Sequence, residues 1–289
     1  MFNKIKSNKV LGNIFRNIKN LRKIKIVKYN KNIQKRLNID KEDFEKFVLM
    51  KELNAKYGLN LKDIDEKVID LNEKHSGQEI LNCINKIGFN GLNELNLKWN
   101  DISDLKTFET IKTEELQILN LAFNPIKNIN IFEKMNLKRI KVLNLYANNI
   151  SDIKVFERIR LENLEILDLG KNEISLANIT EKVNLPKLKE LNLKNNKIND
   201  LNGLENFIFE QLEKLLLNNN SIKDINVLEK LNLKKLTYLN LSANEIANIS
   251  VLGKIKFEIL QTLDLSCNGF TGGYDIIKSL KVKADNIYY

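Results

Sequence analysis

Between residues 92 and 270 apolar and polar positions recur with a period of 24 residues and no insertion. Each period carries the frame L-x-x-L-x-L-x-x-N-x-[I/F], as in Leu164, Leu167, Leu169, Asn172 and Ile174, or Leu236, Leu239, Leu241, Asn244 and Ile246. Leucines two apart, such as Leu143 and Leu145, flank a polar Asn144, so in an extended segment they share one face and the asparagine takes the other. Each unit therefore begins with a short strand that cannot bury its apolar row alone. Stacking the next unit beside it joins the rows into one core and the strands into a parallel sheet. After the strand the chain bends, leaving inward backbone groups without ladder partners. The asparagines that recur there, Asn100, Asn124, Asn148, Asn172, Asn196, Asn220, Asn244 and Asn268, have amides that both donate and accept, which predicts a structural rather than a catalytic role.

The return path is patterned too. Apolar pairs follow eight and eleven residues after the asparagine: Phe108 and Ile111, Phe132 and Met135, Phe156 and Ile159, Leu204 and Phe207, Leu228 and Leu231, Leu252 and Ile255. A spacing of three predicts one face of a short helix or 3-10 turn on the outside of the coil. Unit four breaks the pattern: Ala177 stands where Ile or Leu is usual and Thr180 replaces the aromatic, while Leu176 and Ile179 lie one residue to either side, which predicts a local kink through 172 to 184.

Counting back 24 residues from the first unit puts Val68, Leu71, Leu81, Ile84, Ile87 and Phe89 in apolar slots but Glu73 and Ser76 where Leu and Asn belong, as expected of a degenerate cap. At the far end Ala284, Ile287 and Tyr289 fall in the leucine slots of a ninth strand, an edge open to self-association unless the closing tyrosines and the Gly-rich loop 269 to 273 form a lid. The expected organisation is a basic helical module (1–60), a capping repeat (61–91), eight repeats (92–283) and the start of a ninth strand (284–289).

The frame resembles that of the leucine-rich repeat family. The resemblance implies an α/β fold: a right-handed solenoid with a parallel sheet on its concave face and short helices or 3-10 turns on its convex face, preceded here by a small α-helical module. It also implies a non-enzymatic scaffold that binds a protein partner. The Ile-x-x-Ile runs after the asparagine, as in Ile150 and Ile153 or Ile222 and Ile225, are similar to a subfamily that includes phosphatase-regulating repeat proteins, although those average shorter units.

Charge adds a second feature. The net charge is +10, yet residues 1–37 hold twelve Lys or Arg and no acid, so the remaining 35 bases meet 37 acids and the basicity belongs to this arm. Within it Val10, Leu11, Ile14, Phe15, Ile18 and Leu21, then Ile24, Val27, Ile33 and Leu37, recur at helical spacing. A third helix is expected from Asp40 to Gly58. A helical module ahead of such repeats is similar to the layout of F-box proteins, with Leu11, Ile14, Phe15, Val27 and Tyr29 as the docking positions the resemblance implies, although the usual Leu-Pro opening is missing. A ubiquitin-ligase adaptor is one reading of the arm. A simple cap over the first repeat is another, and attraction to nucleic acid or an anionic membrane a third.

On the concave side the residues between the leucines face outward. One column runs Glu94, Ile118, Val142, Ile166, Glu190, Lys214, Tyr238, Thr262; two later columns begin Lys98, Ala122, Tyr146, Gly170 and Trp99, Phe123, Ala147, Lys171. Trp99, Phe123 and Tyr146 are thus expected on three neighbouring strands beside Ile118, Val142 and Ile166, with Lys98 and Glu94 at the border. Such an apolar, aromatic patch suits a protein interface; the alternative is that Trp99 and Phe123 fold back over the turn as packing. The second half of the face, with Asn192, Lys194, Asn195, Asn218, Asn219 and Ser242, is polar.

Signals for chemistry are missing. The single histidine is His75 in the cap, no Cys pair or Asp-rich loop has ligand spacing, and "GFTGGYD" at 269–275 lacks the Lys and Ser/Thr of a phosphate loop and reads as turn chemistry. No catalytic residue, metal or cofactor is expected. Only Cys83 and Cys267 are present, and no apolar run reaches the length of a signal peptide or a membrane span, which points to a cytoplasmic protein.

Overall fold

The computed structural model describes residues 31–37, 41–59, 61, 68–73, 77–89, 91–280 and 286–289. Leu11, Ile14, Phe15, Val27, Tyr29 and His75, and with them the expected docking helix, lie outside the described residues. Ten short parallel strands form one sheet in the order β1 (Val68–Asp70), β2 (Glu94–Asn96), β3 (Ile118–Asn120), β4 (Val142–Asn144), β5 (Ile166–Asp168), β7 (Glu190–Asn192), β9 (Lys214–Leu216), β10 (Tyr238–Asn240), β11 (Thr262–Asp264) and β12 (Ile287–Tyr288). From β2 to β12 every pair is offset by the 24-residue period: Leu95 faces Leu119, Leu119 faces Leu143, and Leu263 faces Ile287. The last of these is the register the sequence predicts for the ninth strand. Short helical pieces run on the opposite, convex side: 3-10 turns at Lys106–Glu109, Asn130–Glu133, Asn202–Asn206, Asn226–Lys230 and Ser250–Gly253, and one helical turn, α4 (Val155–Arg158). The fold is a right-handed solenoid of the α/β class.

The leucines of the frame, together with Phe108, Phe132 and Phe156, form one continuous core that runs from Met50 to Ile277. The asparagines turn inward and join consecutive units. Asn172 Nδ2 donates to the carbonyl of Leu145 in the preceding unit at 2.9 Å and to Leu169 at 3.1 Å, while its Oδ1 accepts from Ile150 N–H at 3.0 Å. The same bond to the carbonyl 27 residues back recurs for Asn124, Asn148, Asn196, Asn220, Asn244 and Asn268 at 2.9–3.0 Å. Each side chain therefore satisfies backbone groups of two units, as the inward amide requires.

A second asparagine or aspartate series starts the convex turns. Asp104, Asn128, Asp152, Asp200, Asp224 and Asn248 each accept from the amide two residues on, at 2.7–2.9 Å, and so fix the bend into the helical turn. In unit four the same position is Leu176, which has no oxygen to offer. There the 3-10 helix is lost: Leu176 and Ile179 are buried, Ala177 and Thr180 are exposed, and the chain passes into a two-residue strand, β6 (Val183–Asn184), paired with β8 (Phe207–Ile208). Glu157 of α4 takes over the capping, its Oε1 accepting from Thr180 N–H at 2.7 Å and Glu181 N–H at 2.9 Å. The irregularity stays on the convex side, because β5 and β7 pair in unbroken register, Leu167 facing Leu191.

The ends differ from expectation in three ways. The capping unit is offset by 26 residues, not 24: Ile69 faces Leu95 and Asp70 faces Asn96. Leu71 and Ile69 are the buried residues of its strand, and Glu73 occupies a left-handed turn position (φ 58°) rather than a leucine slot. The extra residues reflect α3 (Gly77–Ile87), a full helix whose Ile80, Leu81, Ile84 and Ile87 close the core where other units use a single turn. Ahead of it, α2 (Lys41–Tyr57) follows α1 (Lys31–Leu37), stops before the left-handed Gly58 as expected, and docks through Met50 and Leu53 and a 2.6 Å ion pair from Lys56 to Glu79. At the C-terminal end the glycines give way to α5 (Tyr274–Ser279), entered through left-handed Gly273. Ile277 of that helix is buried, and Ile287–Tyr288 pairs along the edge of β11 with the Tyr288 and Tyr289 side chains 53% and 63% exposed.

Candidate partner-binding surface

The concave columns are built by a third periodic device. At the end of β2, β3, β4, β5 and β7 an asparagine or aspartate side chain accepts from the amide two residues later: Asn96 from Lys98, Asn120 from Ala122, Asn144 from Tyr146, Asp168 from Gly170 and Asn192 from Lys194, at 3.0–3.2 Å. This bends the chain out of the sheet. The following residue is left-handed in every unit: Trp99, Phe123, Ala147, Lys171, Asn195, Asn219, Ala243 and Cys267, with φ between 52° and 58°. Its amide bonds the next unit, as in Phe123 N–H to Tyr146 O at 2.8 Å, so the turns superpose along the stack.

Trp99, Phe123 and Tyr146 therefore lie just past the strands, not on them. They are brought together all the same. The Trp99 and Phe123 rings stack at a centroid distance of 4.1 Å with 15° between planes, and the Phe123 and Tyr146 rings meet tilted at 5.3 Å. Trp99 is 39% exposed; Phe123 and Tyr146 are half-buried. Gly170 makes room for the third ring, since a Cβ there would stand 2.9 Å from Tyr146 Cδ2. Lysines crown the rings: Lys98 Nζ and Lys171 Nζ lie 5.3 and 6.0 Å from the Phe123 centroid, and Lys194 Nζ lies 5.2 Å from that of Tyr146.

Left-handed backbone is costly for a bulky side chain, by about 1–2 kcal/mol. Asparagine, which tolerates it, fills the position in two later units as Asn195 and Asn219. Trp99 and Phe123 are thus placed against local preference by a turn that all eight units share.

On the strands, Ile118, Val142 and Ile166 stand in one half-buried row, opposite one another in register, with Glu94 beside Ile118. Asp168 in the neighbouring column has its carboxyl pushed above the ordinary aspartate range by burial, which outweighs its bonds to the Gly170 amide and Asn192. Sequence reasoning groups Lys194 with the polar second half of the face and leaves Lys171 and Gly170 unassigned; the structure brings all three to the rings. Their shared columns are the signal, since Lys194 falls 48 residues after Tyr146 and Lys171 48 after Phe123.

Among the described residues no group of three His, Cys, Asp or Glu is placed to hold a metal ion, and no helix is long and apolar enough to cross a membrane.

Family models for leucine-rich repeats match residues 92–105, 184–201 and 210–254. No curated protein matches the chain. Among solved structures it is similar to internalin C2 of Listeria monocytogenes, at 27% identity and a TM-score of 0.56, covering 74% of this chain and 91% of that one. It is also similar in fold to the ectodomain of the Arabidopsis thaliana receptor kinase GASSHO1/SCHENGEN3, solved in complex with CASPARIAN STRIP INTEGRITY FACTOR 2, at 20% identity and a TM-score of 0.54, covering 76% of this chain and 27% of that one. A TDR receptor resembles it equally, at 21% identity and a TM-score of 0.55, covering 76% and 38%.

Proposed function

We propose, from the premise that this chain is a leucine-rich repeat protein, that it is a non-enzymatic platform which captures a protein partner on the first half of its concave side. The observation that carries this reading is the exposed Trp99–Phe123 stack held in left-handed turns, continued by Tyr146 and bordered by Ile118, Val142 and Ile166. Large aromatics that a partner can desolvate dominate the energy of protein interfaces. The sheet supplies the rigidity: its turns are tied to both neighbouring units, so the rings are ordered before a partner arrives and little entropy is lost on binding.

The test is direct. Alanine at Trp99, Phe123 and Tyr146 together should abolish retention of a partner that the wild-type chain captures, with the melting temperature nearly unchanged. A fall of several degrees with binding retained would assign the rings to packing instead.

A further inference from the structure

Several of the exposed cations are ion-paired. Along the flanks they are tied to carboxylates of the neighbouring unit: Lys134 to Glu109, Arg158 to Glu133, Lys189 to Glu165, Lys197 to Glu173 and Lys230 to Glu205, at 2.6–2.9 Å. The three lysines around the aromatic stack differ. Lys98, Lys171 and Lys194 sit against ring faces, and among the described residues none has a carboxylate oxygen within 4.0 Å; Lys194 feels Asp168 only at longer range. Three cations without carboxylate partners thus rim an apolar centre.

Resting on the platform reading above, we infer that the site takes an acidic peptide segment of its partner, with an apolar anchor at the exposed Trp99 end of the Trp99–Phe123–Tyr146 cluster and carboxylates on Lys98, Lys171 and Lys194. The three lysines come from units one, four and five. Their ammonium groups nonetheless converge, since Lys98 and Lys171 lie 5.3 and 6.0 Å from the Phe123 centroid and Lys194 5.2 Å from that of the adjoining Tyr146, so the three charges fall within the reach of about four or five residues of extended chain. The carboxylates would replace water around ammonium groups already held by the rings, so attraction is gained without ordering the lysines anew. A single-stranded nucleic acid fits less well: a run of bases needs one free ring face for each base, whereas Trp99 and Phe123 cover one another at 4.1 Å and the lysines lie over Phe123 and Tyr146, which leaves the exposed side of Trp99 for a single apolar anchor.

The experiment is selection of a random octapeptide library on the full chain, followed by titration of the selected synthetic peptides against the fluorescence of Trp99, the only tryptophan. Expected are peptides enriched in Asp and Glu around a large apolar residue, a saturable change in Trp99 emission, weaker binding at higher salt, and at least tenfold weaker binding to the triple variant K98Q/K171Q/K194Q. A selected pool no richer in acids than the input, or equal affinity for the triple variant, overturns the acidic class. Such a pool that still needs Trp99, Phe123 and Tyr146 leaves the platform reading standing, whereas binding indifferent to those rings sinks both. Tighter binding of an oligothymidylate than of any selected peptide would overturn the inference in favour of nucleic acid.

Discussion

A Cβ on Gly203 would overlap the carbonyl oxygen of Leu176 in the preceding unit. Without a side-chain oxygen at position 176 to shape the convex turn, the backbone of unit four takes a path that runs against unit five, and only glycine leaves room for it. Because the obstacle is backbone, a new methyl cannot be relieved by a rotamer change. Gly203→Ala should cost about 2–3 kcal/mol in urea unfolding. Gly269→Ala, which meets only an ordinary 3.9 Å contact, should cost less than about 1 kcal/mol. Equal effects would show that the crowding at Gly203 is easily relieved.

The inward asparagines make a different prediction. Asn172 is buried and serves carbonyls of two units as well as the Ile150 amide. Asn172→Ala should cost about 3 kcal/mol, because it leaves several buried backbone groups without partners. Asn172→Asp should be at least as damaging at neutral pH, since a carboxylate accepts but cannot donate. Lowering the pH should return part of the loss, as the protonated acid regains one donor. A loss under about 1 kcal/mol for the alanine variant would mean that water reaches the ladder.

At Phe123 two effects oppose one another. Phe123→Asn gives up stacking worth about 0.5–1.5 kcal/mol per aromatic pair and regains about 1–2 kcal/mol of backbone strain. The variant should therefore unfold within about 1 kcal/mol of the wild type while losing its partner. Destabilisation by several kcal/mol would make the ring a core residue.

Asp168 predicts a dependence on pH. Burial holds its folded carboxyl above the ordinary aspartate range, so the folded chain binds this proton more tightly than the unfolded chain. The stability linked to that proton is complete below the unfolded pKa and is lost as pH rises through the folded one. Asparagine, present at the same position as Asn144 and Asn192, keeps the bond to the Gly170 amide without the charge. Asp168→Asn should accordingly stabilise the protein at pH 7, by up to about 1 kcal/mol, with the gain vanishing near pH 3. A gain equal at both pH values would trace to packing rather than charge.

What was legible in the chain was whatever the period itself carries. The strands, the inward asparagines, the displaced Leu176 and Ile179 and the Leu263–Ile287 register all follow from counting by 24. Where a helix replaces a turn the count fails, as it did at the cap, because α3 consumes two residues more than the repeat and moves Glu73 out of the leucine slot. The left-handed turns were hidden for another reason. Asparagine and glycine announce such backbone, but Trp99, Phe123, Lys171 and Cys267 do not, and only the superposition of eight identical turns imposes it on them. The aromatic cluster is legible as a set of columns, yet its rings stack beyond the strands, since β2, β3 and β4 end at Asn96, Asn120 and Asn144, which bend the chain away.

The missing oxygen at Leu176 also bears on how the array would come apart. In units one to three and five to seven the convex turn is held by a cap of its own unit, but at 176–181 the cap is a carboxylate borrowed from α4, one coil earlier. Pulled from its two ends, the molecule should tear there first, in two successive extensions, the half that bears the rings parting whole from the half that does not.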